Sequence, residues 1–252
     1  MINIKTLREI ELMEKAGKIA YQTHQFIKKY IKPGVTTNEL NDLVEQYILS
    51  HDATPSFKNY EGFPKAICAS VNDEVVHGIP NNHKLQKGDI ISIDIGVNYK
   101  GYHSDTAWTY SVGEISEKKE YLLKHTKQAL YEGIEQVRPG NRVGDIGFAI
   151  SKYAKKYNLK VIKELVGHGV GNNIHEKPDV PNYGHPGTGP LLKEGMVLAI
   201  EPMFNLGTRE IYIKDNNWTI ATVDGQPSAH FEHTVLITDK GYKILTGEWL
   251  NG

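Results

Sequence analysis

The chain has 252 residues, 39% hydrophobic and 23% charged, ordinary globular material able to bury a core as one large domain or two small ones. Lys and Arg (29) nearly balance Asp and Glu (30), and the net charge of -1 excludes a global electrostatic footprint for nucleic acid or anionic membrane. A single cysteine, Cys68, excludes an internal disulfide and fits a reducing compartment. Residues 1–20 mix charged and apolar positions throughout, so no signal peptide is expected. No window approaches the ~20 apolar residues of a membrane span, and the cytoplasm is the expected location.

Residues 5–31 read as an amphipathic helix, with Leu7, Ile10, Met13, Ala16, Ala20, Thr23, Ile27 and Ile31 at steps of three and four. Pro33-Gly34 stops it. Thr36 and Glu39 then occupy the reciprocal positions of a capping box, and a second helix follows with Leu40, Leu43, Val44, Tyr47 and Ile48 on one face. The arrangement returns 106 residues later. Ile31-Lys32-Pro33-Gly34 becomes Val137-Arg138-Pro139-Gly140, preceded by a helical pattern over 116–137, and Leu40, Val44 and Tyr47 map to Ile146, Ile150 and Tyr153. Further on, Gly88 and Asp94 match Gly195 and Glu201 at an offset of 107. Two distant matches at nearly one offset predict an internal duplication, approximately 5–110 and 116–245, within a single domain spanning 1–252. The segment from Pro178 to Pro190 reads as a loop inside the second half, and the lysines from Lys152 to Lys163 as a solvated helix face.

The chemistry gathers on acids beside apolar strands. Ile90 to Ile95 is a buried strand by its β-branched content, Asn98-Tyr99-Lys100-Gly101 reads as a turn, and His103 to Tyr110 returns. A hairpin centred between Tyr99 and Lys100 sets Asp94 directly opposite Asp105, with Cβ atoms roughly 5 Å apart. Two carboxylates so placed need a cation or a shared proton between them. Glu201 ends the apolar run Val197 to Ile200, and Glu232 precedes another, Thr234 to Ile237. With His168 these acids make a hard, oxygen-rich, polynuclear metal site. His168 lies in Gly167-His168-Gly169-Val170-Gly171, where glycines let backbone approach a ligand. No helical pattern follows that run, which argues against a nucleotide loop. His175-Glu176-Lys177-Pro178 lacks the second histidine of a zincin helix. Cys68, in an apolar run, reads as a small buried filler.

With these residues assembled, the chain resembles the type I methionine aminopeptidases over nearly its whole length. The resemblance is carried by Ser70-Val71-Asn72-Asp73-Glu74-Val75-Val76-His77-Gly78-Ile79-Pro80, Ile93-Asp94-Ile95-Gly96, Gly101-Tyr102-His103-Ser104-Asp105-Thr106, Gly167 to Gly171, His175 to Pro178, Ile200-Glu201-Pro202 and Phe231-Glu232-His233-Thr234. It implies an α+β pita-bread fold, two pseudo-symmetric αβ halves with a central antiparallel sheet around a dinuclear metal site. By the same resemblance, Asp94 chelates one ion, Asp105 and Glu232 bridge two divalent ions (Co, Mn, Fe or Zn), and His168 and Glu201 complete the second site. A metal-activated water attacks the carbonyl of the N-terminal residue, Glu201 shuttles the proton, and His77 and His175 hold the peptide and stabilise the tetrahedral intermediate. Tyr60, Phe63, Cys68, His77, His175 and Trp218 match the substrate site, although Ile174 stands where relatives are often aromatic. The implied partners are N-termini of nascent peptides and proteins at the ribosome, met by a monomer, with no nucleic acid and no membrane. The first competing reading is an X-Pro peptidase of the same superfamily, set aside because the first Pro-Gly helix pair begins almost at Met1. The second is a ligand-stripped binding module, set aside because all five ligand positions are intact.

Overall fold

The structure, a computed structural model, describes residues 2–247; Met1 and 248–252, at the two ends of the expected domain, lie outside the described residues. Among the described residues four α-helices form: α1 (Leu7–Lys28), α2 (Thr37–Leu49), α3 (Glu117–Ile134) and α4 (Val143–Lys156). The Thr36–Glu39 capping box opens α2 as the sequence predicts, with the Thr36 amide donating to Glu39 Oε2 at 2.7 Å. A second box, Thr6–Glu9, starts α1 at Leu7 rather than residue 5. The periodic face of α1 is buried at Met13, Ala16, Ala20, Thr23 and Ile27, but Leu7, in the first turn, is exposed.

All the strand pairings among the described residues are antiparallel. In one sheet Ile90–Tyr99 pairs with Tyr102–Ser111 on one side and with Thr54–Pro55 and Cys68–Val71 on the other. A five-stranded sheet runs in the order Tyr242–Ile244, His233–Ile237, Val197–Ile200, Val166–Gly169 and Glu176–Pro181. Each sheet carries its own pair of helices. Ala16, Ala20 and Ile27 of α1 and Leu40, Val44 and Ile48 of α2 pack on Ile91, Ile93, Ile95 and Val97. Leu122, Leu130 and Ile134 of α3 and Ile146 and Ile150 of α4 pack on Leu198, Ile200, Val235 and Ile237. Strand alternation explains the division of labour: Ile91, Ile93 and Ile95 face the helices, so Asp94 faces the other way. Burying each such side chain contributes ~1.5–3 kcal/mol.

The two halves repeat each other down to single hydrogen bonds. Gly34 N donates to Leu85 O at 2.7 Å, and Gly140 N to Leu192 O at 3.4 Å; Leu85 N donates to Val35 O, and Leu192 N to Asn141 O. The isolated bridges Thr36–Lys84 and Arg142–Leu191 correspond in the same way. Gly34 and Gly140 both have φ +92°, a left-handed turn after the first helix of each half that glycine adopts without steric cost.

Candidate metal centre

The hairpin carrying Asp94 and Asp105 turns one residue later than expected. Lys100 and Gly101 form the turn with φ of 52° and 87°, both positive as a two-residue type I′ hairpin requires, and Asn98 Oδ1 accepts the Gly101 amide at 2.9 Å. The register therefore pairs Asp94 with Ala107 and Asp105 with Gly96, which corrects the directly opposed pair predicted above. A two-residue shift keeps both side chains on one face, so the carboxylates meet diagonally. The second half is sewn to this hairpin at the site itself. Asp105 N donates to Thr234 Oγ1 at 2.8 Å, Thr234 Oγ1 donates back to Asp105 O, Glu232 N donates to Ala107 O, and Thr106 Oγ1 donates to Glu232 O. Those bonds place Glu232, just ahead of His233–Ile237, against both aspartates. Glu201 enters from the end of Val197–Ile200, with its own carbonyl held by Asn182.

All five sequence-predicted ligands come together. Ligand atoms of Asp94, Asp105 and Glu232 lie within 4.8 Å of one another, as do those of His168, Glu201 and Glu232. Glu232 belongs to both groups; Asp105 also joins His168 and His175 in a third. His168 Nδ1 donates to Gly169 O at 2.9 Å, which leaves a lone pair on Nε2, 3.5 Å from Glu201 and 3.8 Å from Asp105. Burial pushes His168 down to about 3, helped by His175, so this imidazole is neutral at any working pH. The acids are pushed the other way. Burial carries Asp94 up to about 7 against the hydrogen bond with Asp105. Burial first, and then the neighbouring carboxylates, raise Asp105, Glu201 and Glu232 well above the usual range. Asp94 Oδ1, Asp105 Oδ1 and Glu232 Oε1 are buried with no hydrogen-bond partner among the described residues. Orphaned carboxylate oxygens converging with an imidazole lone pair fit divalent cations, which would satisfy the oxygens and reverse the raised acidities.

The comparisons with known proteins agree. The sequence model of metallopeptidase family M24 matches residues 11–239. The chain belongs to this family. It is 52% identical to methionine aminopeptidase 1 of Bacillus subtilis over 98% of this chain and 99% of that one, and 48% identical to a methionine aminopeptidase of Clostridium perfringens over the same shares. A crystal structure of methionine aminopeptidase from Rickettsia prowazekii superposes with a TM-score of 0.97 at 46% identity, covering 98% of this chain and 100% of that one. The prolidase of Pyrococcus horikoshii OT3 shares the fold at a TM-score of 0.80 and 26% identity, with 64% of its chain covered. The fold is the pita-bread fold, two αβ halves closed around the carboxylate cluster.

Beside the cluster lies a packed group of apolar side chains. Phe63 and Cys68 are buried with Phe57 and Ile174, and Tyr60, Ile79 and Trp218 pack against them; Phe63 and Trp218 meet edge to face at 5.2 Å. Ile174 is thus a buried member of this apolar group. Cys68 pairs with Asp94 across the strands, and burial plus three nearby carboxylates keep its thiol protonated, as a filler should be. His77 follows Glu74–Val76 with φ of 58°, a strained conformation for a non-glycine residue, and lies 6.5 Å from the Trp218 ring. His175 is exposed, bonds Tyr60 OH through Nδ1 at 3.0 Å, and stands 4.3 Å from the His168 ring. His77, His168, His175 and Glu201 open into a cleft of about 450 Å³ with Leu165 and Met203.

Two features escaped the sequence. His230 is buried, its Nε2 has no hydrogen-bond partner among the described residues, and it sits 3.7 Å from Glu201 Oε2. Its spacing of two from Glu232, which puts both on one face of an extended segment, was the available signal. The glycines around His168 serve a different end from the one expected. A Cβ on Gly167 would stand 2.3 Å from Ala199 O, and one on Gly169 2.5 Å from Lys177 O. They let strands, rather than a ligand, approach the backbone.

Proposed function

We propose that this chain is a metalloaminopeptidase that removes the N-terminal, initiator methionine from peptides and nascent proteins and prefers a small second residue. The observation that carries the reading is the meeting of two groups at the Cys68–Asp94 strand pair: orphaned, buried carboxylate oxygens around Asp94, and an aromatic-rich apolar cluster around Cys68. A flexible thioether suits that apolar cluster, because sulfur is polarisable and packs on ring edges. The identities with methionine aminopeptidases, end to end in both chains, support the substrate.

Asp94, Asp105 and Glu232 would hold one divalent ion, and His168, Glu201, Asp105 and Glu232 the other, with Asp105 and Glu232 shared. When bound, the ions supply Lewis acidity, bringing the pKa of water near neutrality and polarising a carbonyl. The chain's own groups do the rest. Tyr60, Phe63, Cys68 and Trp218 seat the methionine side chain and exclude water. His77 and His175 donate to the scissile carbonyl as negative charge grows on its oxygen. Glu201, raised by burial and held between His168 and His230, carries the proton from the attacking water to the leaving amine. Co, Mn, Fe and Zn all suit mixed carboxylate and imidazole ligands. No helix among the described residues is long and apolar enough to cross a membrane. We place the protein in the cytoplasm as a monomer that meets nascent chains at the ribosome. We also read it as one catalytic domain built by internal duplication, supported by the repeated hydrogen bonds of the two halves.

The deciding experiment strips the protein with a chelator, reloads it with each metal, and follows Met-Ala-Ser against an X-Pro dipeptide. Hydrolysis of Met-Ala-Ser, lost on stripping and restored by metal, is the expected result. Cleavage of the X-Pro substrate alone would replace this reading with a prolidase.

A further inference from the structure

Lys5 is a lysine almost wholly removed from water. Its side chain is 5% exposed, and Nζ lies 2.6 Å from Glu176 Oε2, whose side chain is 6% exposed. Lysines near a chain end ordinarily stay solvated, because hiding their charge is costly. Here the same carboxylate gathers further donors: Asn3 Nδ2 reaches Oε2 at 3.1 Å, and the Asn173 amide reaches Oε1 at 3.2 Å. The surroundings are fitted to the pair. A Cβ on Gly171 would stand 2.5 Å from Glu176 Oε1 and 2.5 Å from Lys5 Cε, so the backbone of the 171–177 turn lies flat against it. That turn is closed by Gly171 N on Asn173 O and tied to the hairpin by His103 N on Gly171 O. On its other side, the Lys5 amide donates to Gly195 O at 2.8 Å, and Ile4 covers Gly195 so closely that a Cβ there would stand 2.7 Å from Ile4 Cγ2.

His175 is the residue before Glu176. Its ring is exposed, so packing alone does not fix it, and its ring bond runs to Tyr60. We propose that Lys5 and Glu176 are positioning residues for His175: residues 2–6 form a strap whose buried ion pair sets the backbone of the 171–177 turn, and with it the His175 ring beside His168. The proposal rests on the reading that His175 serves peptide hydrolysis. The strap also ties the turn to Gly195, just ahead of the strand Val197–Ile200. A misplacement of about 1 Å in a group acting on the transition state costs on the order of a hundredfold in rate.

The test uses Lys5→Met in the full chain. Its kcat on Met-Ala-Ser falls about ten- to hundredfold, with KM changed little and metal content unchanged. In a His175→Ala background the same substitution produces no further loss. Hydrogen exchange of the 171–177 amides quickens, while Val197–Ile200 and His233–Ile237 keep their protection. Because Lys5→Met leaves a buried carboxylate unpaired, Asn3→Ala, which uncovers no charge, is the companion variant, with a smaller change in the same direction. A kcat loss of equal size in both backgrounds, an unchanged kcat, or unaltered exchange at 171–177 overturns the strap. Should the unmodified protein cleave no methionine peptide, the functional reading fails, and the exchange arm still decides whether the strap holds the turn.

Discussion

Metal binding by this chain should displace protons, and the pH at which it does so follows from the cluster. In the metal-free protein, burial lifts Asp94 from its ordinary 3.8 to about 7. The folded chain therefore keeps a proton that the unfolded chain has lost between those limits, so metal-free stability falls as pH rises through that window. The gap of roughly three pH units corresponds to about 4 kcal/mol. A divalent ion needs the ionised carboxylate and must expel that proton. For this one proton, apparent affinity weakens about tenfold per pH unit below about 7 and levels off above it. Asp105, Glu201 and Glu232, raised in the same direction, steepen the slope. His168, held at about 3, is already neutral and releases nothing. Titration calorimetry with Mn at pH 6, 7 and 8, each in two buffers of different ionisation heat, gives affinity and proton release together. Melting temperatures alone are less direct, because buried histidines such as His24, pushed down to about 4, destabilise the fold in the opposite direction as pH falls. A flat affinity from pH 5.5 to 8 with no proton release would refute the argument that these carboxylates are protonated when no ion is bound.

Asp105→Ala should abolish turnover and strip bound metal, read by elemental analysis beside activity, since Asp105 belongs to two of the three ligand groups. His175→Ala should keep its metal and lose on the order of 100–1000-fold in kcat, whereas His168→Ala should lose metal; equal retention by both variants would undo that division. Met-Ala-x peptides should be cleaved far better than Met-Ile-x, and norleucine peptides more weakly than methionine ones by ~1–3 kcal/mol. Gly167→Ala should destabilise the fold by ~1–3 kcal/mol in denaturant melts, because its Cβ would stand 2.3 Å from the Ala199 carbonyl; wild-type stability would show that the strands yield there.

What was legible in the sequence was legible for local reasons. The Pro-Gly stops, the Thr36–Glu39 box and the helical faces are set within a few residues, and each forms as expected apart from the helix ends and the exposed Leu7. Strand-end acids announce themselves because a carboxylate beside a run such as Ile90 to Ile93 is costly without a partner. The hairpin register was missed because Lys100 takes a left-handed conformation that Asn or Gly would have advertised. His230 was missed because its significance is entirely long-range: nothing near it in the chain says that Glu201 will arrive 3.7 Å away. Lys5 hid for the same reason, 171 residues from the glutamate that buries it.

The frame is pseudo-symmetric, but the chemistry on it is not. Asp94, in the middle of Ile90–Tyr99, and Glu201, just past Val197–Ile200, occupy equivalent positions in the two halves, each behind a Pro-Gly helix pair. The same offset carries Asp105 to Tyr212, an exposed residue on the peripheral strand Ile211–Ile213. It carries Glu232 back to His125, which stacks at 4.0 Å on Tyr157 between α3 and α4. One pair of ligands thus follows the symmetry, and the others break it. The first half contributes Tyr60, Phe63 and Cys68, the greater part of an apolar wall; the second contributes His168, His175, Glu201 and Glu232, the greater part of the polar wall. A peptide bond has direction, with a side chain to be recognised on the carbonyl side and an amine to be expelled on the other. A symmetric cluster could bind two ions but would offer the same face to both ends of that bond. Under the proposed function, the asymmetry between the walls selects one orientation, with the methionine against the aromatic cluster and the rest of the chain leaving past His77 and His175.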